Sequence, residues 1–417
     1  MSESGDGELP DGWRRPTIGD SCLAVGKIEP ARTPREPFRY IDISAVDRTT
    51  KKIGDVQRIL GEAAPSRARQ VVKTGDVLVS TVRPNLQTIA IVPKELDGEV
   101  ASTGFCVLRP GQDLDPRWLF YWTLSPTFLE SLLKKTRGVS YPAVLDKDVR
   151  AAAIPLPPID EQRQIVAWIG SLDAALDAGM QRLEEAYAQL RMFRAASYAS
   201  AFVGESQRGE EMLGSVAAVQ SGLAKGRPGE GAASQIPYLR TANVQAGFLD
   251  LEEVKVIGVT AEQRARYQLK DGDVLVLEGG DADKVGRGWL WEGQLVECLH
   301  QNHVFAVRPG DRLRPRFLAH YINAPPARTY FLSVAKQTTN LASINKTTLK
   351  GLPVPMFALD QQDVLVEELD ERLASADRMR VAIEVARMRL GDLRRSALRR
   401  AFQGELHAMA PPDSVAA

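Results

Sequence analysis

Cysteine is scarce: Cys22, Cys106 and Cys298 lie far apart in 417 residues and are odd in number. Such a set cannot staple a small domain, and it points to a reducing compartment. Net charge is missing too, with 53 Lys plus Arg against 53 Asp plus Glu. A zero total excludes a global basic field but leaves room for opposed local patches. No apolar run reaches the roughly 18 residues that a membrane helix needs. The acidic start Met1-Ser-Glu-Ser-Gly-Asp-Gly-Glu8 has no basic segment leading into an apolar one. The expectation is a cytoplasmic protein, neither exported nor membrane-spanning. Catalytic signatures are lacking as well: there is no Asn/Asp-Pro-Pro-Tyr, no G-x-x-x-x-G-K-[ST] and no G-x-G-x-x-G. Residues 1–11 and 405–417 read as polar tails.

What is present is a repeat. Sliding the chain against itself by about 200 residues aligns six anchors in order. Ile18-Gly-Asp20 meets Leu213-Gly-Ser215, Tyr40-Ile41 meets Tyr238-Leu239, and Gly75-Asp-Val-Leu-Val79 meets Gly272-Asp-Val-Leu-Val276. Leu108-Arg-Pro-Gly111 then meets Val307-Arg-Pro-Gly310, Ile154-Pro-Leu-Pro157 meets Leu352-Pro-Val-Pro355, and Ala201-Phe-Val-Gly-Glu205 meets Ala401-Phe-Gln-Gly-Glu405. Between anchors the copies diverge, as at Ser80-Thr-Val-Arg-Pro-Asn-Leu-Gln87 against Leu277-Glu-Gly-Gly-Asp-Ala-Asp-Lys284. A shared scaffold with unlike loops suggests two sites of one kind for different targets.

Each copy mixes β-branched runs, Gly/Pro/Asp turns and helices such as Pro116 to Lys135 and Pro315 to Val334, an α+β pattern over residues 12–157 and 205–355. Pro155, Pro157 and Pro158 make a stiff exit that delays helix formation. Long helices follow over 158–204 and 356–404, with acids at their amino ends and Gly204 and Gly404 where a carboxyl cap belongs. Apolar residues recur at heptad spacing: Ile165, Ile169, Leu172, Leu176, Leu183 and Leu190, then Leu369, Leu373, Ala376, Ile383 and Leu390. Acids crowd the start of each helix and arginines its end, so antiparallel packing sets opposite charges side by side. A blander reading is that each helix answers its own macrodipole. The fold expected is two globular α/β-mixed domains in tandem, each followed by a long helix, the helices forming an antiparallel coiled coil that holds the globules apart.

The Pro-Leu-Pro-Pro-Ile-Asp-Glu-Gln-Arg-Gln-Ile-Val run, the Ala-Phe-x-Gly-Glu helix ends, Gly-Asp-Val-Leu-Val and Glu278-Gly-Gly…Lys284-Val-Gly-Arg287 resemble the specificity subunits of type I restriction–modification enzymes. The resemblance runs from about Gly12 to Leu406, and the second copy departs from it at Pro-Val-Pro-Met-Phe-Ala-Leu-Asp-Gln-Gln. It implies two target-recognition domains reading the halves of a bipartite double-stranded DNA sequence, with the helices setting the gap. It also implies two methyltransferase subunits that modify adenine N6 with S-adenosylmethionine, and restriction subunits using ATP and Mg. This chain would hold none of those cofactors and perform no catalysis.

Base reading favours Arg or Lys toward guanine and Asn or Gln toward adenine. The first globule offers Arg83, Asn85 and Gln87 in a Pro-broken loop, with Lys134, Lys135, Arg137, Ser140 and Tyr141 before the exit. The second offers Lys284 and Arg287 in a loop whose glycines would let backbone approach phosphate, together with Gln301, Asn302, Lys336, Thr338, Thr339 and Asn340. An ordinary polar turn or hairpin explains each loop equally well. Cys298-x-His300-x-x-His303 offers three zinc-type ligands without a fourth, and alternation over Leu295 to Val307 fits a strand carrying them. Two rival readings are a rod-shaped scaffold that binds proteins and a metal nuclease built on Asp250, Glu253 and Lys255.

Overall fold

A computed structural model of the chain describes residues 9–138, 142–202, 209–224, 234–281, 284–337 and 342–406. It divides into two units, residues 1–183 with 385–417, and residues 184–384. Each contains one globule together with a stretch of each long helix.

In the first unit Val77–Ser80, the strand of the Gly-Asp-Val-Leu-Val anchor, is wholly buried. It lies between Phe105–Pro110 and Ile89–Ile91 in an antiparallel sheet that Cys22–Leu23 extends. A second sheet runs Gln57–Leu60, Pro37–Ile41, Val100–Ser102, Ala68–Val71, with Pro37–Ile41 parallel to Val100–Ser102. The second unit repeats the plan. Val274–Leu277 lies between Val304–Pro309 and Gly288–Leu290, flanked by Ala217–Ser221. Ser234–Leu239 pairs antiparallel with Lys255–Val259 and parallel with Leu299–His300.

The repeat anchors have physical reasons. Arg109 clasps Asp76 through Nε at 2.9 Å and Nη2 at 2.7 Å, and Arg308 clasps Asp273 at 2.7 Å through both nitrogens. Both aspartates are buried, and a buried carboxylate needs such a partner. The Gly-Asp and Arg-Pro-Gly anchors are therefore one ion pair made twice. Gly75 and Gly272 both hold φ +86, a left-handed conformation open to glycine.

Each sequence-expected helix after the Arg-Pro-Gly anchor is two helices. Pro116–Leu124 stops at Ser125, whose hydroxyl caps Pro126–Leu133, and Pro315–Tyr321 gives way to Pro325–Val334. The internal prolines cannot donate to the preceding turn, so they restart the helix rather than continue it. The expected single strand over Leu295 to Val307 is likewise broken: Leu299–His300 and Val304–Pro309 belong to different sheets.

The Pro exits run as edge segments, where a missing N–H costs least. Arg14 and Leu156 bond each other in both directions, and Pro353–Pro355 pairs with Glu210–Met212. The long helices span Ile159–Phe202 and Leu359–Phe402, 44 residues each. One latch holds each helix start to its globule. The buried amide of Gln162 accepts from the Asp115 N–H and donates to the carbonyls of Asp113 and Pro157, each at 2.8 Å. Gln362 does the same with Arg314 N–H, Arg312 and Phe357.

None of the heptad residues named above is exposed. In the first unit Arg394 meets Asp173 at 3.0 Å and Asp177 at 2.5 Å, and a Cβ on Gly179 would lie 3.3 Å from Leu390. In the second, Arg194 meets Asp377 at 2.8 Å. Late arginines of one helix thus pair with early acids of the other in both units, so the packing is antiparallel and the macrodipole alone does not account for the charge pattern. Gly404 has φ +77, as a carboxyl cap requires, while Gly204 lies outside the described residues. No helix among the described residues is long and apolar enough to cross a membrane.

Candidate nucleic-acid interface

The strand of the Gly-Asp-Val-Leu-Val anchor delivers its chain to the same construction in both units. In the first, Thr81 N–H donates to Gly104 O at 2.9 Å and Thr81 O accepts from Val144 N–H at 2.9 Å. In the second, Glu278 N–H donates to His303 O at 3.0 Å and Glu278 O accepts from Ile344 N–H at 2.8 Å. A hairpin then lies against the outgoing loop. Ala143 bridges both Val82 and Arg137, and Ser343 pairs with both Gly279 and Lys336. The loop and hairpin groups, separate in sequence, are brought together twice.

In the first site Arg83 and Asn85 are exposed, as are Lys134, Lys135 and Arg137. Arg83 N–H donates to Pro142 O at 2.7 Å, which ties the loop to the hairpin. Arg137 stands 3.8 Å from Asp148, a residue that caps the following helix by accepting from Leu145 N–H. Gln87 turns inward: its Nε2 donates to Leu124 O at 3.1 Å, which ties the loop to the end of Pro116–Leu124. Ser140 and Tyr141 lie outside the described residues.

Among the described residues three non-glycine residues have positive φ: Lys51 at 57°, Arg83 at 49° and Gln87 at 44°. They meet in this one place, since Lys51 Nζ donates to Gln87 O at 2.6 Å. Such conformations cost about 1 to 3 kcal/mol each and persist where the surrounding structure over-determines the backbone. Burial pushes the Lys51 ammonium below its ordinary range, against the pull of Asp47. Sequence reasoning missed Lys51; the turn-forming run Asp47-Arg-Thr-Thr-Lys51, in which Asp47 Oδ1 accepts from Thr49 and Thr50 N–H, is its only local signal.

In the second site Lys284 is half-buried and ion-paired to Asp281, whose carboxyl that bond holds below its usual range. Arg287 is half-buried and Lys336 exposed. Gln301 and Asn302 are half-buried, and their N–H groups bond Leu239 O and Leu223 O. Glu278 Oε2 meets His303 Nδ1 at 2.5 Å, a pair standing where the first site has Thr81 and Gly104. Close packing accounts for three of the glycines. A Cβ on Gly279 would lie 2.8 Å from Ala342 O, one on Gly286 2.2 Å from the Phe331 ring, and one on Gly288 1.9 Å from Leu275 O. Thr338, Thr339 and Asn340 lie outside the described residues.

The zinc-type triplet does not converge. Cys298 and His300 are buried, His300 Nδ1 is bonded to Val304 O at 2.7 Å, and His303 is exposed beside Glu278. Burial pushes the Cys298 thiol up to about 12 and the His300 imidazole down. No group of three or more potential metal ligands gathers among the described residues. Asp250 accepts from Glu252 N–H, and the exposed Glu253 carboxylate pairs with Arg240 at 3.6 Å and Lys255 at 3.7 Å, a surface ion cluster.

Two like-built sites bearing unlike side chains, each on a globule latched to a long helix, define a two-headed recognition protein. The type I restriction modification DNA specificity domain matches residues 46–186. The chain is 25% identical to the StySPI specificity subunit of Salmonella potsdam over 422 residues, covering 96% of this chain and 91% of that one. It is 25% identical to the EcoKI specificity subunit of Escherichia coli K12 over 331 residues, 76% of this chain and 71% of that one. A solved chain described for complex assembly and conformational transition of the type I R-M system superposes with TM-score 0.84 at 30% identity, covering 96% of this chain and all 100% of that one. The HsdS subunit of Thermoanaerobacter tengcongensis gives TM-score 0.63 at 29% identity, over 96% and 99%. The chain belongs to the family of type I restriction–modification specificity subunits. Nothing in these relatives supports the scaffold or nuclease reading.

Proposed function

We propose that each globule reads one half of a bipartite double-stranded DNA target, and that the paired helices set the interval between the halves. The observation that carries this reading is the duplicated loop-and-hairpin construction. Scaffold register is kept from Thr81 to Glu278 while the side chains offered to a ligand change. Arg83, Asn85, Lys135, Arg137, Lys284, Arg287, Asn302 and Lys336 are the described candidates for base and phosphate contact. Gln87 and Gln301 act through the backbone geometry they support.

The chain itself is a non-catalytic subunit in this reading. Two adenine-N6 methyltransferase subunits dock on the helix pair and bring S-adenosylmethionine, and restriction subunits bring ATP and Mg. The family relationship and the paired helices support this division of labour.

Methylome sequencing of cells with and without the chain tests it directly. A bipartite methylated motif should appear only with the chain. Exchanging residues 12–157 for another specificity subunit's first domain should then change one half of that motif and leave the other intact. A change in both halves refutes the assignment.

A further inference from the structure

The two sites carry very different charge. In the first, the loop 80–88 and hairpin 134–144 hold four cations, Arg83, Lys134, Lys135 and Arg137, and no acid. The matching segments of the second, 277–287 and 335–344, hold three cations and three acids. The structure sharpens the contrast. Lys284 is in contact with Asp281, and the His303 ring is bonded to Glu278. Among the described residues no carboxylate lies within ion-pair distance of Lys134 or Lys135, and Arg137 has only Asp148, at 3.8 Å. Lys51 adds a further cation behind the first loop, bonded to a carbonyl.

Cations that neutralise phosphates release condensed counterions, and each such contact steepens the fall of log affinity with log salt by about 0.9 on B-DNA. A cation already matched by its own carboxylate has little charge left to give. We propose that the first globule is the electrostatic anchor of the protein: Lys134, Lys135 and Arg137 grip the DNA backbone and carry the larger salt-sensitive share of binding. The second globule, where Asp281 already matches Lys284 and Glu278 adds a further carboxylate beside His303, carries the smaller salt-sensitive share. This division rests on the DNA-reading function proposed above and says what that reading does not, namely which half supplies the larger salt-sensitive share.

The experiment uses the full chain assembled with its methyltransferase subunits and a duplex carrying the methylome-defined target. Dissociation constants are measured between 50 and 200 mM salt, the range over which such effects are large. The triple substitution Lys134→Gln, Lys135→Gln, Arg137→Gln should lower the log–log slope by about 2 to 3. The pair Lys284→Gln with Asp281→Asn should change it by under about 0.5, less than one phosphate contact. Lys134→Arg with Lys135→Arg should keep the full slope, which separates charge from fold, and the thermal midpoint of the triple variant checks its integrity. A triple variant that keeps the wild-type slope, or a second-site pair that lowers it as much, overturns the proposal. If the wild-type complex shows no preference for the target, the DNA-reading function itself fails; if the preference stands and the slopes are equal, only the division between globules fails.

Discussion

Phe402, in the last turn of the chain's second long helix, sets its ring edge-on to Trp118 of the first globule with centroids 4.6 Å apart. Trp122 stands 5.1 Å from the same ring. In the second unit Phe202, in the last turn of the first helix, meets Phe317 and Tyr321, each at 5.4 Å. The repeated Ala-Phe-x-Gly-Glu anchor is therefore a plug, and each globule's core is completed by the end of the helix that does not leave it.

Removing the plug should cost about 3 to 5 kcal/mol, the range for deleting a buried phenylalanine. Phe402→Ala should weaken the first globule and Phe202→Ala the second. Hydrogen exchange resolved along the chain checks this: Phe402→Ala should loosen Phe105–Pro110 and leave Val304–Pro309 protected.

The glutamine latches should be equally unforgiving. Gln162→Ala strands the Asp115 N–H and two carbonyls, and each stranded buried group costs about 1 to 3 kcal/mol. Gln162→Glu should be no better, because a carboxylate cannot donate to Asp113 O and Pro157 O. Denaturant unfolding that finds Gln162→Glu as stable as the native chain refutes the latch.

Acid should act oppositely on two carboxylates of the helix pair. At Asp370 burial raises the carboxyl, but bonds from His320 and Arg316 outweigh it and hold it below its usual range. A lowered folded pKa adds stability that is present above the unfolded pKa and lost as pH falls through the folded one. At Asp173 burial wins over Arg394 and Tyr121 and raises the carboxyl, so its contribution belongs to the protonated form and fades as pH rises. Asp370→Asn should lower the unfolding midpoint at pH 7, with the deficit vanishing below the ordinary carboxylate range near pH 4. Asp173→Asn should not lower it at pH 7.

Lys51→Met should remove the bond that holds Gln87 O and relax the strained loop bearing Arg83. In the assembled complex the expected result is about a tenfold loss of discrimination at the first half-site, the size of one charged hydrogen bond, with the second half-site read as before. Lys51→Arg should restore part of it. Equal losses at both half-sites would make Lys51 a general stability residue.

Lengthening both helices by one heptad adds roughly 10 Å to each. The gap in the methylated motif should grow by about three base pairs at 3.4 Å per step, with neither half-site altered. A changed half-site sequence would show that the helices do more than space.

Much of this was legible along the chain. The duplication, the Pro exits and the heptad helices follow from local rules, since proline geometry, helix period and charge order act between near neighbours. The antiparallel sense was legible as well, because acids and arginines were already segregated along each helix. At Gly279 and Gly288 a distant backbone, and at Gly286 the Phe331 ring, leaves no room for a Cβ, which no local pattern shows. Nor does any local pattern show that the Gln87 amide nitrogen donates to Leu124, 37 residues away.

The sequence by itself determined that there are two similar modules with unlike loops and two long helices suited to pair. Only tertiary structure decided which loop meets which hairpin, that Gln162 and Gln362 are latches, that Phe402 plugs the first globule, and that strain gathers at Lys51, Arg83 and Gln87. These are contacts across tens to hundreds of residues. Their energies depend on burial and exact approach, which no local pattern encodes.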